Sequence, residues 1–68
     1  MRILNVLFFG DVVGAVGLQA LLSQLPELSE RYAAHAVIVN GENIVQGKGL
    51  TSVEAEALFA AGVHCITT

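Results

Sequence analysis

Apolar blocks of two kinds alternate along the chain, some without any periodicity and some at helical spacing. Residues 2–9 are dominated by Ile, Leu, Val and Phe with no alternation, the pattern of a strand covered on both faces. Gly10-Asp11, then Gly14 and Gly17, break that run. From Ala15 to about Leu25 the residues Val16, Leu18, Leu21, Leu22 and Leu25 fall at helical spacing and predict an amphipathic helix. Pro26 is costly inside a helix but suits a first turn, so 26–33 is expected to form a second, short helical turn. Ala36 to Asn40 reads as the second strand, and Gly41 to Leu50 as a glycine-rich loop. Thr51 followed by Glu54 has the spacing of a capping box, which predicts a helix over 52–61 ending at Gly62. Val63 to Thr67 is the third strand.

The order β-α-β-α-β, with crossovers too long for hairpins, predicts an α/β unit of parallel strands joined by right-handed connections. No repeat, linker or low-complexity stretch divides residues 1–68. Composition changes this picture in one respect. The chain has 68 residues, 54% of them hydrophobic, and a mean hydropathy of +0.70. A domain of this length buries only about 60% of the surface its unfolded chain exposes. So apolar a chain is therefore expected to be one part of a larger single domain.

Charge excludes more than it suggests. The net charge is −3, and the cations Arg2, Arg31 and Lys48 are scattered, so no basic stripe exists to hold a nucleic-acid backbone. The single cysteine, Cys65, rules out an internal disulfide and fits a reducing, cytoplasmic location. The opening MRILNVLFF is interrupted by Asn5 and lacks a small-residue cleavage pattern, so it reads as a strand and not as a signal sequence. No run approaches the roughly 18 apolar residues of a membrane-spanning helix.

Two carboxylates stand at matched places. Asp11 follows strand one and Glu42 follows strand two, both at the carboxyl ends where open α/β sheets place their ligands. Neighbouring strands lie about 4.8 Å apart, so carboxylates at adjacent strand ends can reach one ion. With the Asn43 carbonyl they form a hard oxygen set suited to Mg, Mn or iron. The competing reading has Asp11 capping the following helix and Gly41-Glu42-Asn43 as turn chemistry. Against it, converging carboxylates repel unless a cation joins them. Asn40 and Gly41 are expected to shape the turn that aims Glu42 inward.

Other candidates carry less. Gly10, Gly14 and Gly17 do not form G-x-G-x-x-G, and no Walker Gly-Lys-Ser or Gly-Lys-Thr occurs. Gln46-Gly47-Lys48-Gly49 is either a phosphate contact through Lys48 or a solvated loop. His64 and Cys65 are expected to pack inside a buried strand, and His35 to be a surface imidazole.

The runs LFFGDVVGAVG, LPELSERY, VIVNGEN and AGVHCIT, with a Gly-rich loop and a Thr-capped helix between the last two, resemble the YmdB-like branch of the calcineurin-like metallophosphoesterases. The resemblance covers essentially the whole chain. It implies the N-terminal part of a metallophosphoesterase α/β sandwich carrying two divalent ions, Mn or Fe foremost and Mg allowed. Asp11 would bind one metal, Glu42 would bridge both, and Asn43 would replace the histidine of the commoner Asp-x-His pattern. A bridging carboxylate holds two cations about 3.5–4 Å apart, and a water activated between them would attack a phosphodiester. The implied substrate is a small phosphodiester or nucleotide, 2′,3′-cyclic nucleotides among them, with no membrane partner and a homo-oligomer allowed. No catalytic residue falls within the chain, because the family's catalytic histidine is expected beyond Thr68; the 68 residues alone are expected to be inactive. Leu18, where relatives carry arginine, and Ile44, Val45 and Gln46, where they carry small residues, depart from the pattern around substrate contacts. The alternatives are a Rossmann-like module that holds a nucleotide phosphate at Gly10–Gly17 without metal, or an inactive fragment.

Overall fold

A computed structural model describes residues 3–45 and 49–68. The elements run β1 (Val6–Phe9), α1 (Gly14–Arg31), β2 (Ala36–Asn40), α2 (Ser52–Ala60) and β3 (Cys65–Thr67). The strands form one parallel sheet in the order β1-β2-β3, with Val6 opposite Ala36, Ile38 opposite Cys65 and Asn40 opposite Thr67. The expected β-α-β-α-β unit is therefore present, with its first two strands adjacent.

One core joins both helices to the sheet. Leu18, Leu21 and Leu25 of α1 and Leu58 of α2 meet Val37 and Val39 of β2, and Leu25, Val39 and Leu58 are fully buried. Two right-handed crossovers in the same direction place both helices on one side of a parallel sheet. The opposite side is left open: Val6 and Phe8 are 53% and 61% exposed, and Cys65, which shares that side, is exposed too. The expectation that strand one is covered on both faces is corrected accordingly. Its apolar run reflects what the open side could bury, not what it buries here.

The element bounds differ from the sequence reading in three places. The first strand starts at Val6, not at residue 2, because β2 supplies no partner ahead of Ala36; Ile3 and Leu4 are exposed. Pro26 lies inside a single α1 and does not open a second helix. The stripe of Leu18, Leu21 and Leu25 runs on to half-buried Leu28, so packing carries the helix across the hydrogen bond that proline removes. The third strand starts at Cys65, and neither His64 nor Cys65 packs in a core; both are exposed.

The start and end of α2 match expectation. Thr51 and Glu54 form the capping box, the Thr51 N–H donating to the Glu54 carboxylate at 3.1 Å and the hydroxyl also reaching it. Gly62, with φ +106°, turns the chain out of the helix, a conformation in which glycine carries no Cβ penalty. Among the described residues no helix is long and apolar enough to cross a membrane.

Candidate metal centre at the carboxyl ends of the strands

Beyond their last paired residues, the chain segments leaving β1 and β2 stay side by side. The Val12 N–H donates to the Asn40 carbonyl at 3.4 Å and the Gly14 N–H to the Asn43 carbonyl at 3.1 Å, and Val13 forms a parallel bridge with Asn43. This extension carries Asp11 to Asn43, whose Nδ2 donates to Asp11 Oδ1 at 3.0 Å. Both side chains are exposed, as is Glu42, the residue before Asn43. The structure thus brings Asp11 and Asn43 together, with Glu42 the next residue on the same loop.

Backbone geometry at the site is unusual. Asp11 has φ 54°, in the left-handed region that a non-glycine residue enters at roughly 1–2 kcal/mol, Asp and Asn most readily. The helix that follows is not capped by it: the cap position is Val13, and no side chain bonds there. The cap expectation for Asp11 is corrected, because a left-handed turn at that residue hands its carboxylate to Asn43 instead. Gly41 is required by close approach, since a Cβ there would meet Ile66 Cγ2 at 3.1 Å and Ile44 Cδ1 at 3.3 Å. Buried Ile44 and Gly41 anchor the loop and leave the intervening Glu42-Asn43 pair at the surface.

Asp11, Glu42 and Asn43 offer oxygen ligands from neighbouring segments, and this suits a hard divalent cation. Among the described residues no three His, Cys, Asp or Glu side chains gather; Asp11 and Asn43 are hydrogen-bonded, and Glu42 adjoins Asn43 in the chain. Lys48, the candidate phosphate contact, lies outside the described residues. A separate apolar groove of about 570 Å³ opens between α1, α2 and Ile44-Val45, lined by Leu18, Leu22, Val53 and Ala57. None of Asp11, Glu42 and Asn43 borders it.

The opposite ends of the strands hold two contacts that sequence reasoning missed. His64 donates its backbone N–H to the Val37 carbonyl at 2.8 Å, and its Nδ1 accepts the Val37 N–H at 3.0 Å. His35 repeats the arrangement one strand over, with its N–H on the Asn5 carbonyl at 2.8 Å and its Nδ1 accepting the Asn5 N–H at 3.0 Å. The shared position of each histidine, one residue before its strand, was the signal available in the sequence.

The model of the YmdB-like protein family matches residues 7–68. The chain belongs to that family. A relative from Bacillus subtilis, a 2′,3′-cyclic-nucleotide 2′-phosphodiesterase, is 41% identical over 94% of this chain and 24% of its own length. A putative phosphatase/phosphodiesterase of Mycoplasma pneumoniae is 42% identical over 98% of this chain and 24% of its own. The crystal structure of a Mycoplasma pneumoniae phosphatase superimposes with a TM-score of 0.90 at 41% identity, covering 97% of this chain and 24% of that one. The chain therefore spans about a quarter of the length of the YmdB-like relatives it matches.

Proposed function

We propose that the full product of this gene is a metal-dependent phosphodiesterase acting on small phosphodiesters, 2′,3′-cyclic nucleotides among them, and that this chain supplies Asp11, Glu42 and Asn43 to a site for two divalent ions, Mn or Fe foremost. The observation that carries the reading is the pairing of Asp11 with Asn43 at the carboxyl ends of adjacent strands, with Glu42 beside it. The activity named for the Bacillus subtilis relative supports the substrate class.

Each residue has a defined task in this reading. Asp11, held by its left-handed backbone and by the Asn43 amide on one carboxylate oxygen, would hold a cation with its carboxylate. Glu42, on a loop pinned by Gly41 and Ile44, would supply the second negative charge to the ions. When bound, such ions supply Lewis-acid charge against the phosphoryl oxygens and activate the attacking water. In this reading the remaining ligands and the catalytic histidine would lie outside residues 1–68.

The test is hydrolysis of 2′,3′-cyclic AMP by the full gene product with added Mn(II), repeated after chelation. Turnover that chelator abolishes and Mn(II) restores is the expected result; equal turnover in chelator contradicts it. The metal-free nucleotide-binding reading has one observation in its favour, the N-terminus of α1 that no side chain caps. Nucleotide binding in chelator, with no metal retained and no hydrolysis, would establish it instead.

Residues 1–68 alone are expected to aggregate and to show no turnover, because the sheet exposes Val6 and Phe8 on its open side. Light scattering and thermal melting of the isolated segment check this, and a monomer that melts cooperatively would contradict it.

A further inference from the structure

Asn40 is the last residue of β2 and stands directly before Gly41-Glu42-Asn43. Its Nδ2 donates to the Thr67 hydroxyl of β3 at 3.1 Å, while the next N–H, of Gly41, donates to the Thr67 carbonyl at 2.8 Å. Its own carbonyl accepts the Val12 N–H at 3.4 Å from the segment that carries Asp11. One residue therefore touches the carboxyl ends of all three strands. Its Oδ1 is buried and has no hydrogen-bond partner among the described residues. Sheets seldom keep a carboxamide so placed when an apolar residue would pack without that unmet acceptor.

We infer that Asn40 is a positioning residue for the site: the Asn40–Thr67 bond ties β2 to β3 and sets where the Glu42-Asn43 loop, and through it Asp11, meets a cation. The inference rests on the metal-site reading above. A purely structural crossbar would lower thermal stability and leave cation affinity alone. A positioning crossbar moves the affinity, because groups that orient metal ligands typically alter it by about 10–100-fold.

Mn(II) titration followed by electron paramagnetic resonance, on the full gene product, separates these. Thr67→Val and Asn40→Ala are each expected to weaken Mn(II) binding about tenfold, and Thr67→Ser, which keeps the hydroxyl, to restore it. The double variant is expected to lose about tenfold and not a hundredfold, since both changes break one bond. Wild-type affinity in both single variants, or independent losses that multiply in the double, overturns the inference. If the wild-type protein takes up no Mn(II), the metal reading itself falls, and the Asn43 side-chain amide resonances decide on the crossbar. Displacement of those resonances by Thr67→Val then upholds the coupling of Thr67 to the Asp11–Asn43 pair, and unmoved resonances refute it.

Discussion

The two ends of this small sheet use similar side-chain contacts to different effect. At the amino ends, His35 and His64 each close a reciprocal pair with a backbone partner on the neighbouring strand. At the carboxyl ends, Asp11 meets only Asn43, and Asn40 keeps an unmatched buried acceptor among the described residues. The closed end spends its side chains on holding strands in register. The open end also ties β2 to β3 through Asn40 and Thr67, but it leaves Asp11, Glu42 and Asn43 exposed, and in a parallel sheet that is the end where ligands bind.

The sharpest way to break this contrast uses two residues with the same backbone. Asp11 and Ala33 are the non-glycine residues with positive φ among those described, at 54° and 49°. Asp11→Gly and Ala33→Gly relieve similar strain, each worth about 1 kcal/mol. Asp11→Gly is expected to cost at least about 100-fold in phosphodiesterase turnover, roughly 2.7 kcal/mol of transition-state stabilisation. Ala33→Gly is expected to leave turnover unchanged and to raise stability by about 0.5–1 kcal/mol in a denaturant melt. Equal effects of the two on activity would erase the distinction.

At the closed end the loss should be structural. His64→Ala leaves the part-buried Val37 N–H without its partner and is expected to destabilise the protein by about 1–3 kcal/mol. His35→Ala, at an exposed pair, should cost less, about 0.5–1.5 kcal/mol. Both variants should retain turnover per folded molecule, measured on samples below their melting temperature. A His64→Ala protein of unchanged stability and reduced turnover would place chemistry at the wrong end of the sheet.

The smallest effect lies in the first turn of α2. The Thr51 hydroxyl, and then the backbone N–H groups of Thr51 and Glu54, hold the Glu54 carboxyl below its ordinary value of 4.5. A carboxyl lowered on folding adds stability that is complete above that ordinary value and disappears as pH falls through the lower folded one. Acid titration followed by NMR should therefore show the first turn of α2 loosening only below about pH 4.5, and Glu54→Gln should blunt that response. A transition in the same amides near neutral pH would contradict the assignment.

These outcomes also show what could be read from the chain beforehand. The second strand, the capped start of α2 and its glycine exit were legible because each rests on local chemistry: a β-branched run, a Thr-x-x-Glu spacing, a Gly with no Cβ penalty. The placement of Asp11 and Glu42 at neighbouring strand ends was legible from the crossover rule. Pro26 was misplaced because tertiary packing of Leu21, Leu25 and Leu28 overrode a local breaker. The competing cap reading of Asp11 failed because a left-handed φ cannot be read from residue type alone. Each histidine's place before its strand was legible but its partner was not, because both pairs depend on strand register, which spans 27 positions for Val37 with His64 and 30 for Asn5 with His35.

The central claim is that Glu42 contributes charge to a cation site and not merely shape to a turn. Glu42→Gln keeps the size and removes the charge of an exposed side chain, so the fold should be untouched. Hydrolysis of 2′,3′-cyclic AMP by the full gene product, measured for this variant and the parent in saturating Mn(II), tests it most directly. The account predicts a loss of at least about 100-fold with an unchanged melting temperature. Parental turnover in the Glu42→Gln protein would contradict it.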